Sequence, residues 1–171
     1  MRWTRFAYDM PSNIADKDPM MSALKALHFT SNLTSCLVED VTTLERLRLV
    51  DTGLPALATV GNLAWLGESA TGFLITLIVV KKQADAYKAA FKAWRTALSS
   101  GKLEEARSLG AIAFAQWVKY HFSLLTLVKW LGETVAASHD NGYHTASKAA
   151  IAGSLVSAVV STYAQSAKFW K

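Results

Sequence analysis

The chain is poor in the residues that interrupt helices or cross-link chains. A single cysteine, Cys36, among 171 residues excludes an internal disulfide and offers no thiol set for zinc. It reads as an inert, packed thiol. Prolines number only three, Pro11, Pro19 and Pro55, so proline forces nothing after Pro55 out of helix. Charge is scarce: 18% of residues are charged, against about 25% in soluble domains. No stretch alternates apolar and polar residues for long enough to argue for a sheet. The sequence has no glycine-rich phosphate loop, nucleophile elbow, Cys pair or HExxH motif. We therefore assign no catalytic, cofactor-binding or metal residues, and expect a protein that is not an enzyme. Nucleic-acid motifs and aromatic–basic stripes are also missing, so no nucleic-acid partner is expected.

What remains is apolar and helical. Hydrophobic residues make up 51% of the chain, and mean hydropathy is +0.19. That value suits a mixture of spans and amphipathic helices. The expected fold class is all-α: a membrane helical bundle with two or three transmembrane helices and flanking amphipathic helices.

Residues 1–18 read as a polar N-terminal arm. It lacks the apolar core of a secretory signal, and Asp9, Asp16 and Asp18 argue against a cleaved presequence. Residues 19–171 read as one membrane domain. Asp18 followed by Pro19 is an N-cap with proline in the first helical turn. Residues 19–50 then form an amphipathic region with Met20, Leu24, Leu27, Leu37, Val41, Leu44 and Leu47 on its apolar side. Residues 54–80 make a span whose only charge is Glu68, closed by Lys81 and Lys82. Residues 81–100 are a basic amphipathic segment with Tyr87, Phe91 and Trp94 on a lipid- or partner-facing stripe. This segment either lies in the headgroup plane or continues the preceding helix. A long helix covers 103–137, either spanning or lying on the membrane. A last span, 149–170, has no charge between Lys148 and Lys168 and ends on Phe169 and Trp170. Its small residues Ala149, Gly153, Ser157 and Ser161 recur every four positions, a face suited to close helix packing.

From Lys81 to Arg107 seven basic residues stand against three acidic ones, a net +4. Such a segment beside a span suits anionic lipid, here through Lys81, Lys82, Lys88, Lys92 and Arg95. Glu68 is costly inside a span and calls for a partner. Lys119 and Lys129, with His121 beside them, are the expected partners in a structural pair; a proton or ion path is the alternative. His139, Asp140 and His144 read as a solvated turn rather than a metal site.

From about Leu44 onward the order of features resembles the peroxin-eleven family of peroxisomal and glycosomal membrane proteins. The likeness lies in "LERLRLVDTG", in "GNLAWLG" opening an apolar stretch, in the basic aromatic segment, and in the final "AGSLVSAVVSTYAQSAKFW". It implies a non-catalytic protein that remodels and elongates membranes, with residues 20–50 as the inserting part. The residues themselves favour another role. We expect a structural or accessory subunit packed with other membrane-protein subunits in a larger organellar complex. A respiratory-chain or ATP-synthase assembly of the mitochondrial inner membrane is the expected setting. A peroxin-eleven-type remodeller is the alternative, and a small carrier or proton path using Glu68 the second alternative.

Overall fold

A computed structural model describes residues 14–169. It holds four long helices: α1 (Pro19–Arg46), α2 (Leu57–Ser99), α3 (Leu103–Asp140) and α4 (Ser147–Phe169). No strand occurs among the described residues. Residues 1–13 of the expected arm, and Trp170, lie outside them.

Each helix boundary has a local cause. The Asp18 carboxylate accepts the Met20 backbone N–H at 3.0 Å, and Pro19 fills a position that needs no donor. The first helix stops at Arg46, so Leu47–Val50, expected within the amphipathic region, lie in the turn that follows. α2 runs unbroken for 43 residues, about 65 Å at 1.5 Å per residue. The basic segment 81–100 is therefore a continuation of the apolar helix and not a separate interfacial one. Gly101, at φ 72°, turns the chain into α3. Glu104 and Glu105 sit in the first turn of α3, where they complement the helix dipole.

The helices form an open row. Among the described residues, backbones approach only between α1 and α2, α2 and α3, and α3 and α4. Contacts such as Val38 with Gly61, and Ser31 with Gly67, set α1 antiparallel to α2. The same register brings the start of α1 level with Val80, roughly. The α2–α3 hairpin beyond Lys81 therefore projects past it.

Full burial falls mainly on small side chains: Ala97, Ala106, Ala113, Ala136, Ala137, Ala150, Ser69, Thr71, Thr76 and Ser157, with Met21 and Phe29 the larger members. Many large apolar residues are exposed, among them Leu27, Leu37, Leu63, Leu131, Ile151, Leu155 and Val159, while others such as Leu66, Phe73 and Leu125 are half-buried. Met20, Leu44 and Leu47 of the stripe expected on α1 are exposed as well. Among the described residues one helix, α2, is long and apolar enough to cross a membrane.

Candidate functional site

A row of polar side chains crosses all four helices at the level of Glu68. On α1, Asn32 donates through Nδ2 to Oε1 of Glu68 on α2. One turn earlier, Nδ1 of His28 lies 3.0 Å from the Glu68 carbonyl oxygen and 3.2 Å from Thr71 Oγ1. A carbonyl only accepts, and the Thr71 hydroxyl donates its own proton to the Gly67 carbonyl at 2.6 Å. Nδ1 of His28 is thus the protonated nitrogen, an assignment made from the network. On α3, Lys129 pairs with Glu133 at 3.5 Å, and its ammonium lies 4.5 Å from the centroid of the Trp130 ring. Ser157 of α4 completes the row by donating to Glu133 at 2.6 Å.

Trp130 ties the row together. Its ring meets His28 edge to face, with centroids 5.3 Å apart, and this contact links α1 to α3. Gly72 makes room for it: a Cβ there would lie 2.7 Å from two carbons of the indole. Every buried side-chain polar atom among the described residues has a hydrogen-bond partner, so the row is a satisfied network of the kind that fixes one arrangement of helices.

The predicted polar pair is corrected here. The direct partner of Glu68 is Asn32, an uncharged residue on α1. Lys119 is exposed, near the level of the Tyr87–Tyr120 stack. Lys129 forms its ion pair with Glu133, four residues on. His121 tilts over Trp117 at 4.2 Å. His28 and Asn32, spaced i and i+4 on one face of α1, were the available signal for the true partner.

The packing face of α4 is shifted by one residue at its start. Gly153 lies against Gly132, Ser157 is buried, and Ser161 is half-buried. Ala149 is exposed, and Ala150 takes the buried place expected for it. A helix that begins at Ser147 turns Ala150, Gly153 and Ser157 to one side, at spacings of three and four.

The aromatic stripe faces α3. Tyr87 stacks on Tyr120 with centroids 6.2 Å apart and planes 7° from parallel. Trp94 lies over Gly110, where a Cβ would be 3.2 Å from its Nε1. Phe91 packs on both Tyr87 and Trp94 and remains 40% exposed.

In the turn before α4, His144 donates through Nε2 to the Val135 carbonyl at 2.9 Å and accepts the Ala146 N–H at Nδ1. Both ring nitrogens are engaged in shaping the turn. Among the described residues no group of three or more His, Cys, Asp or Glu side chains is placed to hold a metal ion.

No protein-family model, curated protein or solved structure matches the chain. The resemblance to the peroxin-eleven family rests on the residues quoted for it.

Proposed function

We propose that the chain is a non-catalytic structural subunit of a larger membrane assembly. The observation that supports this is the open row of helices with small residues inside and large apolar residues outside. A chain whose helices pack through Gly, Ala, Ser and Thr while Leu, Ile and Val face outward has the pattern of helices solvated by lipid or by other membrane proteins. An open row leaves both its flat faces and its outer edges unfilled by its own side chains. Neighbouring subunits would cover them. In this reading α2 crosses the bilayer near Leu57–Val80, α4 and the matching part of α3 supply the second and third spans, and the α2–α3 hairpin projects into water. The polar row then lies near mid-membrane and fixes helix register. Its partners are other membrane subunits, with anionic lipid at Lys81, Lys82 and their neighbours. The proposed setting is a respiratory-chain or ATP-synthase complex of the mitochondrial inner membrane.

Extraction in mild detergent, native gel separation and mass spectrometry of co-migrating chains test this reading. Stoichiometric co-migration with respiratory or ATP-synthase subunits is the expected result. Migration alone, or as a small homo-oligomer, discards it.

A second reading, membrane remodelling of the peroxin-eleven type at peroxisomes or glycosomes, is favoured by α1. That helix exposes Met20, Leu27, Leu37 and Leu44 away from the row, as a membrane-inserting helix would. Vesicle tubulation by the full chain would support it.

A further inference from the structure

The projecting hairpin carries an open hollow that the polar row does not touch. Tyr87, Phe91 and Trp94 of α2 and Phe114 and Trp117 of α3 form its walls, around a cavity of about 240 Å³. Gly110 and Ala113 form the floor, so no long side chain fills the space from below. The α2 rings are inclined to one another, 49° between Tyr87 and Phe91 and 56° between Phe91 and Trp94. Phe114 and Trp117 lie nearly parallel, 21° apart, on the opposite side. Phe114 is 64% exposed and Trp117 39%, so the walls are open to a ligand.

The lining selects a class of guest. It includes no leucine, isoleucine or valine, although many of these residues are exposed elsewhere on the helices. A pocket for an acyl chain would be expected to use them. It also includes no carboxylate, lysine or arginine. A primary ammonium brings three N–H donors that such a wall cannot satisfy. A quaternary ammonium brings none, and its positive charge is attracted to the electron-rich faces of aromatic rings. Basic side chains are kept off this wall: Lys92 and Lys102, with Glu105, line a separate hollow of the hairpin. Tyr87 to Trp94 lie about 9–20 Å past Lys81 along the helix; on the proposed function, which this placement rests on, they stand beyond the apolar stretch on the water side.

We propose that this aromatic hollow binds a quaternary ammonium group of the kind carried by choline, either free or on a phosphatidylcholine headgroup.

The test uses the full chain in a maltoside detergent, which carries no choline. It is titrated with choline chloride and, separately, with neohexyl alcohol, in which carbon replaces the charged nitrogen. The indole N–H resonances of Trp94 and Trp117 report occupancy. Saturable shifts of both are expected with choline, at an affinity about tenfold or more above that of the alcohol. Trp94→Leu and Phe114→Leu should each weaken choline binding several-fold with helix content unchanged; the exposed Phe114 keeps the test valid if the Trp94 variant misfolds. Nanodiscs separate the two sources. Occlusion of free choline by phosphatidylcholine but not by phosphatidylglycerol identifies the headgroup, whereas equal titration in both identifies a soluble ligand. No saturable shift, equal affinity for the alcohol, or unchanged binding in a folded Phe114→Leu protein overturns the proposal.

Discussion

Gly132 on α3 and Gly153 on α4 lie face to face, each turned toward the other's backbone carbonyl. A Cβ on Gly153 would come within 2.5 Å of the Gly132 oxygen, and the reverse contact is as tight. Backbone cannot swing aside as a flexible side chain can, so this contact sets how close α4 comes to the row. It also holds Ser157 within 2.6 Å of Glu133, one turn further on. Gly153→Ala gains about 1 kcal/mol of helix propensity, but the clash outweighs it. The expected net result is a loss of about 1–3 kcal/mol, read as earlier unfolding in a detergent titration followed by circular dichroism. Ala149→Leu, on the exposed side of the same helix, should stay within about 0.5 kcal/mol of the parent. Equal effects from the two would mean that the glycine contact does not hold α4.

Asn32 and Glu68 are expected to behave as a coupled pair. Asn32→Leu leaves the Glu68 carboxylate with one partner fewer and should cost about 1–3 kcal/mol. Glu68→Gln keeps an oxygen that can accept from Asn32 and should cost less. Asn32→Leu combined with Glu68→Leu removes both polar groups, and should cost less than the two single changes added together. Additive costs would show that the two side chains act independently. Glu68→Gln also separates readings: loss of transport with assembly intact would establish the proton-path alternative over the structural one.

The helical layout was legible because its signals are local. Asp18–Pro19, Ser99–Ser100–Gly101 and the polar "SHDNGYHT" turn each mark a boundary within a few residues of where it falls, whereas the Lys81–Lys82 pair marks none, because α2 runs on through it to Ser99. Side-chain pairing was less legible, because it depends on register between helices that no local pattern encodes. Glu68 announced a need for a partner but not which of its neighbours would supply it. Charge suggested Lys119 or Lys129, whereas the antiparallel register of α1 brought Asn32. The place of Trp130 depends on the space above Gly72 on another helix, which no local pattern marks. The aromatic stripe of α2 was visible at helical spacing, but Phe114 and Trp117 join it only once the hairpin folds back.

Arg48 offers a test of the turn between α1 and α2. Its φ of 57° places a side-chain-bearing residue in the left-handed region. There it closes the helix end, its N–H donating to the Glu45 carbonyl at 2.9 Å while Leu49 N–H reaches Leu44. That conformation costs a residue with a Cβ about 1–2 kcal/mol and costs glycine little. Glycine's greater freedom in the unfolded chain returns part of the gain. Arg48→Gly should therefore stabilise the protein by about 0.5–1 kcal/mol, and Arg48→Val should destabilise it. Thermal unfolding of the two variants beside the parent decides the matter. A lower midpoint for the glycine variant would show that the arginine side chain contributes more than the backbone strain removes.

Asp16 gives the N-terminus of α1 a dependence on pH. Its carboxylate accepts a hydrogen bond from the Lys25 ammonium at 2.8 Å and from the Asp18 backbone N–H at 3.1 Å. These contacts, that of Lys25 foremost, hold it below its ordinary value of 3.8, against a small opposing effect of burial; the charges of Lys25 and, across on α2, Lys82 add to the lowering. A carboxyl group whose folded value is depressed stabilises the folded state fully above its unfolded value, and that contribution is lost as pH falls through the folded value. The first turn of α1 should thus be as well protected at pH 5 as at pH 7, and should loosen as pH falls below about 4. Hydrogen exchange at Met20 and Ser22, whose N–H groups are bonded to Asp18, reads this directly. Asp16→Asn should remove most of the change between pH 5 and pH 3, leaving exchange already fast at pH 5. If the parent and the variant lose protection alike on acidification, the acid-sensitive group lies elsewhere in the chain.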